Sequence, residues 1–341
     1  MSKNIVIFSD GTGQEGGKGF NTNIYKLFNM IEDRSSEQVA YYDPGLGTGW
    51  RKVTGNAGGM GISRNIQECY KFIFEHFETG DQIYLFGFSR GAATVRSLSN
   101  FIHYFGILPK SRPKLIKEAY KIYKTSDKKK RNKRAKDFLS RHHTMWARVK
   151  FIGCYDTVAA LGLPWKTASA ILDGIPGFRH DFHDFHLSES VENAYHALAI
   201  DDERKTFHPV LWGTELKSFQ KLKQVWFCGM HTDVGGGYAD QELAGIPFRW
   251  MLNRAKDKGL LIYQDHQVTI NENANGKMHD SRGEGYAKLF RQKVRSWDEN
   301  RQEKPIIHQS VLDRKLNQQN MASPDYRPWI LNYPHEVEPW D

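Results

Sequence analysis

Gly87-Phe88-Ser89-Arg90-Gly91 has the Gly-x-Ser-x-Gly spacing that sets a serine on a sharp turn between a strand and a helix, with its hydroxyl projecting at the strand end. A serine hydroxyl is a weak nucleophile near neutrality. It needs a base to take its proton and a third group to hold that base in one tautomer. On an open parallel sheet the expected chain order is serine, acid, histidine. Asp156 ends the apolar run Phe151-Ile152-Gly153-Cys154-Tyr155, and His231 lies just past Val225-Trp226-Phe227-Cys228-Gly229, so both fall in the right order and at strand ends. Asp233, two residues beyond His231, is a possible alternative acid. Acyl transfer also needs donors for the developing oxyanion: the amide of Arg90, after the nucleophile, and that of Gly11, in the loop leaving an early strand, are the candidates. This chemistry calls for no metal and no cofactor. Each residue also has an ordinary reading: Ser89 as a helix cap, Asp156 as a turn residue, His231 as a structural histidine.

The elements that must position these groups follow from periodicity and turn residues. Ile5 to Phe8 reads as a buried strand ending in Ser9-Asp10-Gly11-Thr12-Gly13, where Asp10 is expected to brace the loop. A helical stretch around Asn23 to Ile31 is followed by a strand from Val39 to Tyr42 and a long glycine-rich loop as far as Gly61. Ile62, Ile66, Tyr70, Ile73 and Phe77 recur at helical spacing before the strand Ile83 to Phe86, the serine turn and a helix through Ile102. Two further strands, Val149 to Tyr155 and Val225 to Gly229, and helical stretches near Glu189 to Leu198 and Ile246 to Lys258 complete the pattern. Alternating strands and helices predict an α/β fold, a mainly parallel sheet with helices on both faces, within one domain spanning 1–341. Glycine and proline interrupt the apolar segment Leu161 to Phe178, which suits a lid over about 161–185. In Asp233-Val234-Gly235-Gly236-Gly237-Tyr238, three glycines indicate a backbone passing close to something, such as the nucleophile turn. A polar, aromatic-rich C-terminal extension, about 265–341, is expected to pack around the sheet.

The composition, 39% hydrophobic and 26% charged over 341 residues, is that of a soluble globular chain. No run reaches the roughly 18 apolar residues of a membrane span. The N-terminal apolar stretch is too short for a signal-peptide core, which predicts a cytoplasmic chain, peripheral at membranes or exported without a cleavable signal. Cys69, Cys154 and Cys228 lack metal-ligand spacing and read as buried thiols. The net charge of +9 is concentrated in a basic helical insertion at about 108–148, including Lys128-Lys129-Lys130-Arg131. That segment is either a solvated helix face or a contact for anionic lipid headgroups.

Phe8-Ser9-Asp10-Gly11-Thr12-Gly13, Gly87-Phe88-Ser89-Arg90-Gly91-Ala92, Tyr155-Asp156-Thr157-Val158 and His231 to Tyr238 together resemble the DUF2235 family, which includes the catalytic domain of the type VI secretion phospholipase effectors called Tle1. His196 to Asp201 and His279-Asp280-Ser281 also look like family segments. The resemblance spans roughly two-thirds of the chain. It implies an α/β-hydrolase core, a triad on Ser89, Asp156 and His231, and hydrolysis of phospholipid acyl esters. The biological setting stays open among a resident lipase, a small effector and a defence enzyme, with an immunity or regulatory protein as a further partner class.

Two other functions compete. Asp10, Asp156, His231 and Asp233 could hold divalent ions for phosphoester hydrolysis, which leaves the serine turn unexplained. A non-catalytic module could bind nucleic acid through Lys128 to Arg134, but that run lacks the interleaved aromatics that stack on bases, so no nucleic acid is expected.

Overall fold

The computed structural model describes residues 2–11, 16–17, 19–45, 57–158, 186–283, 288–318 and 326–341. Among them, eight strands form one sheet: β1 (Asn4–Ser9), β2 (Gln38–Asp43), β3 (Gln82–Phe88), β4 (Val149–Tyr155), β5 (Val191–Ala199), β6 (Lys221–Phe227), β7 (Ile306–His308) and β8 (Glu336–Glu338). The order is β2-β1-β3-β4-β5-β6-β7-β8, and every neighbouring pair is parallel. The fold is α/β-hydrolase-like.

Alternate residues of the central strands serve opposite faces. Ile5, Ile7, Ile83 and Leu85 pack into a core with helices α2 (Ala57–His76), α3 (Arg90–Phe105), α4 (Leu115–Tyr123) and α5 (Lys128–Arg141). Val6, Phe8, Tyr84 and Phe86 join the other core with α1 (Asn23–Phe28) and α7 (Glu242–Lys256). Both faces are covered, so β1 and β3 read as continuous apolar runs without polar alternation. The short helix α6 (His231–Gly235) follows β6, and α8 (Gln309–Gln318) follows β7.

The order matters for the site. From β1 the chain moves outward to β2, then crosses back to place β3 on the other side of β1. The loops leaving β1 and β3 therefore diverge, and the crevice at such a switch point is where open α/β sheets bind ligands.

Two expectations need correction. The stretch near Glu189 to Leu198 is not a helix but strand β5, paired on both edges with β4 and β6. Its alanines and leucine favour helix intrinsically, but eight of its nine residues are buried, and a central strand buried on both faces shows no period-2 signal. The C-terminal extension also does more than pack around the sheet: it contributes β7 and β8. Glu338 on β8 accepts hydrogen bonds from Trp250 Nε1 at 2.9 Å and Arg254 Nη2 at 2.8 Å, and pairs with Lys223, tying this edge to α7 and β6.

Within the basic stretch the chain forms α4 and α5. Phe138 of α5 meets Phe105 of α3 edge to face at 5.5 Å, while Lys128, Lys129, Lys130, Lys133, Arg134 and Lys136 are exposed. Cys69, Cys154 and Cys228 are buried free thiols. The lid expected at about 161–185, and residues 46–56 of the glycine-rich loop, lie outside the described residues.

The tightest backbone approach lies under the serine turn. A Cβ built on Gly91 would sit 1.9 Å from the Ser9 carbonyl oxygen and 2.7 Å from that of Asp10. Backbone cannot give way there as a flexible side chain would. Gly91→Ala is expected to cost about 3 kcal/mol or more of folding stability, read as a lowered urea midpoint; a midpoint like that of wild type would contradict this packing.

Candidate active site

Ser89 joins β3 to α3 with φ 58° and ψ −119°, and Asp156 follows β4 with φ 38°; they are the non-glycine residues at positive φ among those described. Each such conformation costs on the order of 1–3 kcal/mol, so the surroundings must impose it. For Ser89 the constraint includes its amide, which donates to Tyr155 O at 3.0 Å and locks the turn against the end of β4. Although Ser89 occupies the N-cap position of α3, its side chain makes no capping hydrogen bond. The hydroxyl is thus not spent on helix formation, and it sits at the positive end of the α3 dipole.

Asp156 is fully buried and every lone-pair direction has a donor. Oδ1 accepts from Ala199 N at 3.0 Å and Arg295 Nη1 at 2.8 Å; Oδ2 accepts from His231 Nδ1 at 2.6 Å and Arg295 Nη2 at 2.9 Å. Burial alone would push this acid up. The Arg295 charge and the hydrogen bonds outweigh it and hold Asp156 ionised far below the ordinary carboxylate range.

His231 is the first residue of α6. Its backbone N–H reaches Asp202 Oδ2 at 3.3 Å, and its ring lies between Phe88, at 4.6 Å between centroids, and Phe207, at 5.2 Å. Burial lowers the imidazole pKa, against the pull of Asp156. The ring is therefore neutral at neutral pH. With Nδ1 donating to Asp156, Nε2 carries the lone pair that a general base requires.

The three glycines after Val234 explain how the ring comes so close to the serine turn. A Cβ on Gly235 would lie 2.1 Å from the Phe88 ring, so α6 can lean on the turn only with glycine there. Contact between Phe88 and His231 then puts the imidazole beside the residue preceding Ser89. Among the described residues Ser89 Oγ makes no hydrogen bond.

Of the remaining sequence candidates, Arg90 opens α3 and so directs its amide out of the helix N-terminus. Gly11 lies against Ser89, where an added Cβ would be 3.6 Å from Ser89 Cβ, but its N–H is engaged by Asp10 Oδ1 at 2.7 Å. Asp10 braces that loop: its Oδ2 also accepts from Thr22 Oγ1 at 2.6 Å and Tyr42 OH at 2.8 Å, and burial pushes its pKa up to about 6. Asp233 does not reach His231. It occupies the third position of α6, where Oδ2 accepts from Met230 N at 3.1 Å and Oδ1 pairs with His279 Nδ1 at 2.6 Å.

The metal-site reading fits poorly. Asp10, Asp156 and Asp233 are each taken up by separate donors, and among the described residues no group of three or more His, Cys, Asp or Glu side chains is arranged to hold an ion. Sequence reasoning missed Arg295 and Asp202. Arg295 stands 139 residues from Asp156 in a polar stretch with no periodicity, so nothing in the sequence points to the pairing.

The family model described as "T6SS, Phospholipase effector Tle1-like, catalytic domain" matches residues 3–254. The uncharacterized protein YEL023C of Saccharomyces cerevisiae is 30% identical over 258 residues, covering 68% of this chain and 36% of the yeast protein, so the chain spans about a third of that relative's length. Similar solved structures include an uncharacterized protein from Pseudomonas aeruginosa, with TM-score 0.45, 16% identity and coverage of 79% of this chain and 48% of that one. The Tle1 effector bound to the VgrG spike of the type 6 secretion system has TM-score 0.36, 17% identity and coverage of 70% and 52%, so this chain spans about half of each. Native esterase Est2 of Thermogutta terrifontis has TM-score 0.40, 13% identity and coverage of 77% and 85%. With its family match extending over most of the sequence, the chain belongs to the Tle1-like phospholipase effector catalytic-domain family.

Proposed function

We propose that this chain is a serine hydrolase that cleaves carboxyl esters, with phospholipid acyl esters as its substrate class. The observation that carries the reading is the buried 2.6 Å contact between His231 Nδ1 and Asp156, beside a strained serine whose hydroxyl caps nothing. Family membership supplies the lipid.

In this mechanism His231 Nε2 takes the Ser89 proton as Oγ attacks the acyl carbonyl, and Asp156 stabilises the imidazolium that forms. The oxyanion is met by the Arg90 amide and the α3 dipole. Because the Gly11 N–H is engaged by Asp10, Gly11 contributes close approach of the β1 loop instead of a donor. His231 then returns the proton to the departing lysolipid oxygen, leaving an acyl-Ser89 ester. Water, deprotonated by His231, attacks that ester, and His231 passes the proton to the departing Ser89 Oγ as the fatty acid is released. The exposed lysines of α5 provide peripheral contact with anionic headgroups.

Fatty acid release from mixed phospholipid vesicles and from a short-chain soluble ester, with chelator present, tests the reading. Ser89→Ala is expected to lower turnover by a factor on the order of 10³ or more; equal release by both proteins would remove Ser89 from the mechanism. Asp156→Asn is expected to lose on the order of 10³–10⁴ in kcat through the wrong tautomer, whereas Asp233→Asn, which leaves the His231 pair intact, loses far less. The reverse ranking would make Asp233 the acid.

The pH profile has a definite sign. Activity requires neutral His231, whose pKa lies below the ordinary 6.5, while Asp156 is already ionised. The kcat/KM should therefore fall on the acid side with a midpoint below 6.5, as one proton binds; a midpoint above 6.5 would contradict the burial of the ring.

Charge reversal of Lys128, Lys129 and Lys130 to Glu is expected to reduce co-sedimentation with anionic vesicles while leaving soluble-ester turnover unchanged. Undiminished sedimentation would show that α5 is only a solvated face.

A further inference from the structure

We infer that Arg295 is the positioning residue of the Asp156–His231 pair, so that the site is completed by a segment outside the residues matched by the family model. This rests on the reading of Ser89, His231 and Asp156 given above. The match ends at residue 254. Arg295 lies 41 residues beyond it on the way to β7, yet only 2% of the residue is exposed and its guanidinium grips both oxygens of Asp156. The same fork donates to the carbonyl oxygens of Ala199 and Phe207, which belong to the end of β5 and the loop after it. One planar group thereby ties together the acid, the strand end that also donates to the acid, and the loop whose Phe207 ring abuts His231.

The segment carrying Arg295 is registered by backbone. Lys205 N donates to Arg291 O at 2.9 Å and Lys293 N to Glu203 O at 2.7 Å, forming a short antiparallel clasp between residues 291–293 and 203–205. Gln292 Nε2 adds a bond to Glu203 Oε2 at 2.6 Å. The side chain two residues past the clasp is thus delivered into the interior at a fixed depth.

Its chemistry suits the task. With only the imidazole and the Ala199 amide as donors, the buried carboxylate would keep two lone pairs unmet; a bidentate guanidinium fills them and fixes the carboxylate plane, which a lysine ammonium cannot do. The other charged and titratable groups coupled to the pair or to Arg295 include His196, Asp201, Asp202, Arg204 and His208, of which Asp202 is itself paired with Arg204 at 2.5 Å. None of them donates to the Asp156 carboxylate. Arg295 and His231 are thus its side-chain partners among the described residues.

The test uses the full chain with p-nitrophenyl butyrate as substrate. It compares wild type, Arg295→Lys and Arg295→Gln for kcat, KM and the pH dependence of kcat/KM, with Ser89→Ala as the blank and folding checked by near-ultraviolet circular dichroism. Folded Arg295→Gln is expected to lose on the order of 100-fold in kcat with little change in KM. Its acid limb should move to higher pH, because loss of the guanidinium charge makes protonation of the Asp156–His231 pair easier. Arg295→Lys keeps the charge and so the acid limb, but loses kcat because it cannot span both oxygens. Wild-type kcat and acid limb in folded Arg295→Gln, or an activity loss that follows the folded fraction with the limb unmoved, would overturn the assignment. If Arg295→Gln does not fold, Arg295→Lys decides in the same way, with wild-type kcat as the contrary result. The low-field proton resonance of His231 Nδ1–H gives a readout independent of turnover, expected in wild type and lost or shifted in the variants. Absence of Ser89-dependent turnover in wild type would sink the hydrolase reading, and this resonance would then decide the positioning role alone.

Discussion

A fully buried carboxylate at the end of β4 is the constraint around which the other parts of this site are arranged. An ion removed from water must be compensated on every side, because the cost of leaving it bare is several kcal/mol. Asp156 achieves this with a backbone amide from β5, an imidazole from α6 and a guanidinium from the C-terminal third of the chain. Those donors arrive from three elements distant in sequence. The carboxylate therefore specifies how the end of the sheet closes as well as which way the histidine faces.

The rest of the geometry follows from the sheet order. Reversal of strand order between β1 and β3 opens the crevice between the loops after Ser9 and Phe88. Gly91 lets the start of α3 lie directly under the carbonyls of Ser9 and Asp10, and Gly235 lets α6 press on Phe88. These close approaches, with the Ser89 amide held by Tyr155 O, constrain the strained backbone at Ser89. Asp10, held by Thr22, Tyr42 and the Gly11 amide, fixes the opposing wall.

Much of this is legible in the sequence where local chemistry and tertiary role coincide. The serine turn is flanked by a buried strand and a small-residue helix, and the apolar run before Asp156 marks its strand end. Where the two part company, the sequence misleads. The alanine-rich β5 looks helical because burial on both faces removes its alternation. The choice between Asp156 and Asp233 stays open until α6 is seen as a helical turn, which sends the Asp233 carboxylate back to Met230 N and across to His279. Arg295 carries no local signal at all, since its partner is set by a clasp formed only when residues 291–293 meet 203–205.

The most direct test of the account is covalent labelling. Incubation with a fluorophosphonate, followed by intact-mass and peptide mass spectrometry, should give one adduct per chain, located on Ser89 and absent from Ser89→Ala and strongly slowed in His231→Ala. Labelling that ignores His231, or that settles on a residue other than Ser89, would contradict the central claim that a serine activated by the Asp156–His231 pair performs the chemistry.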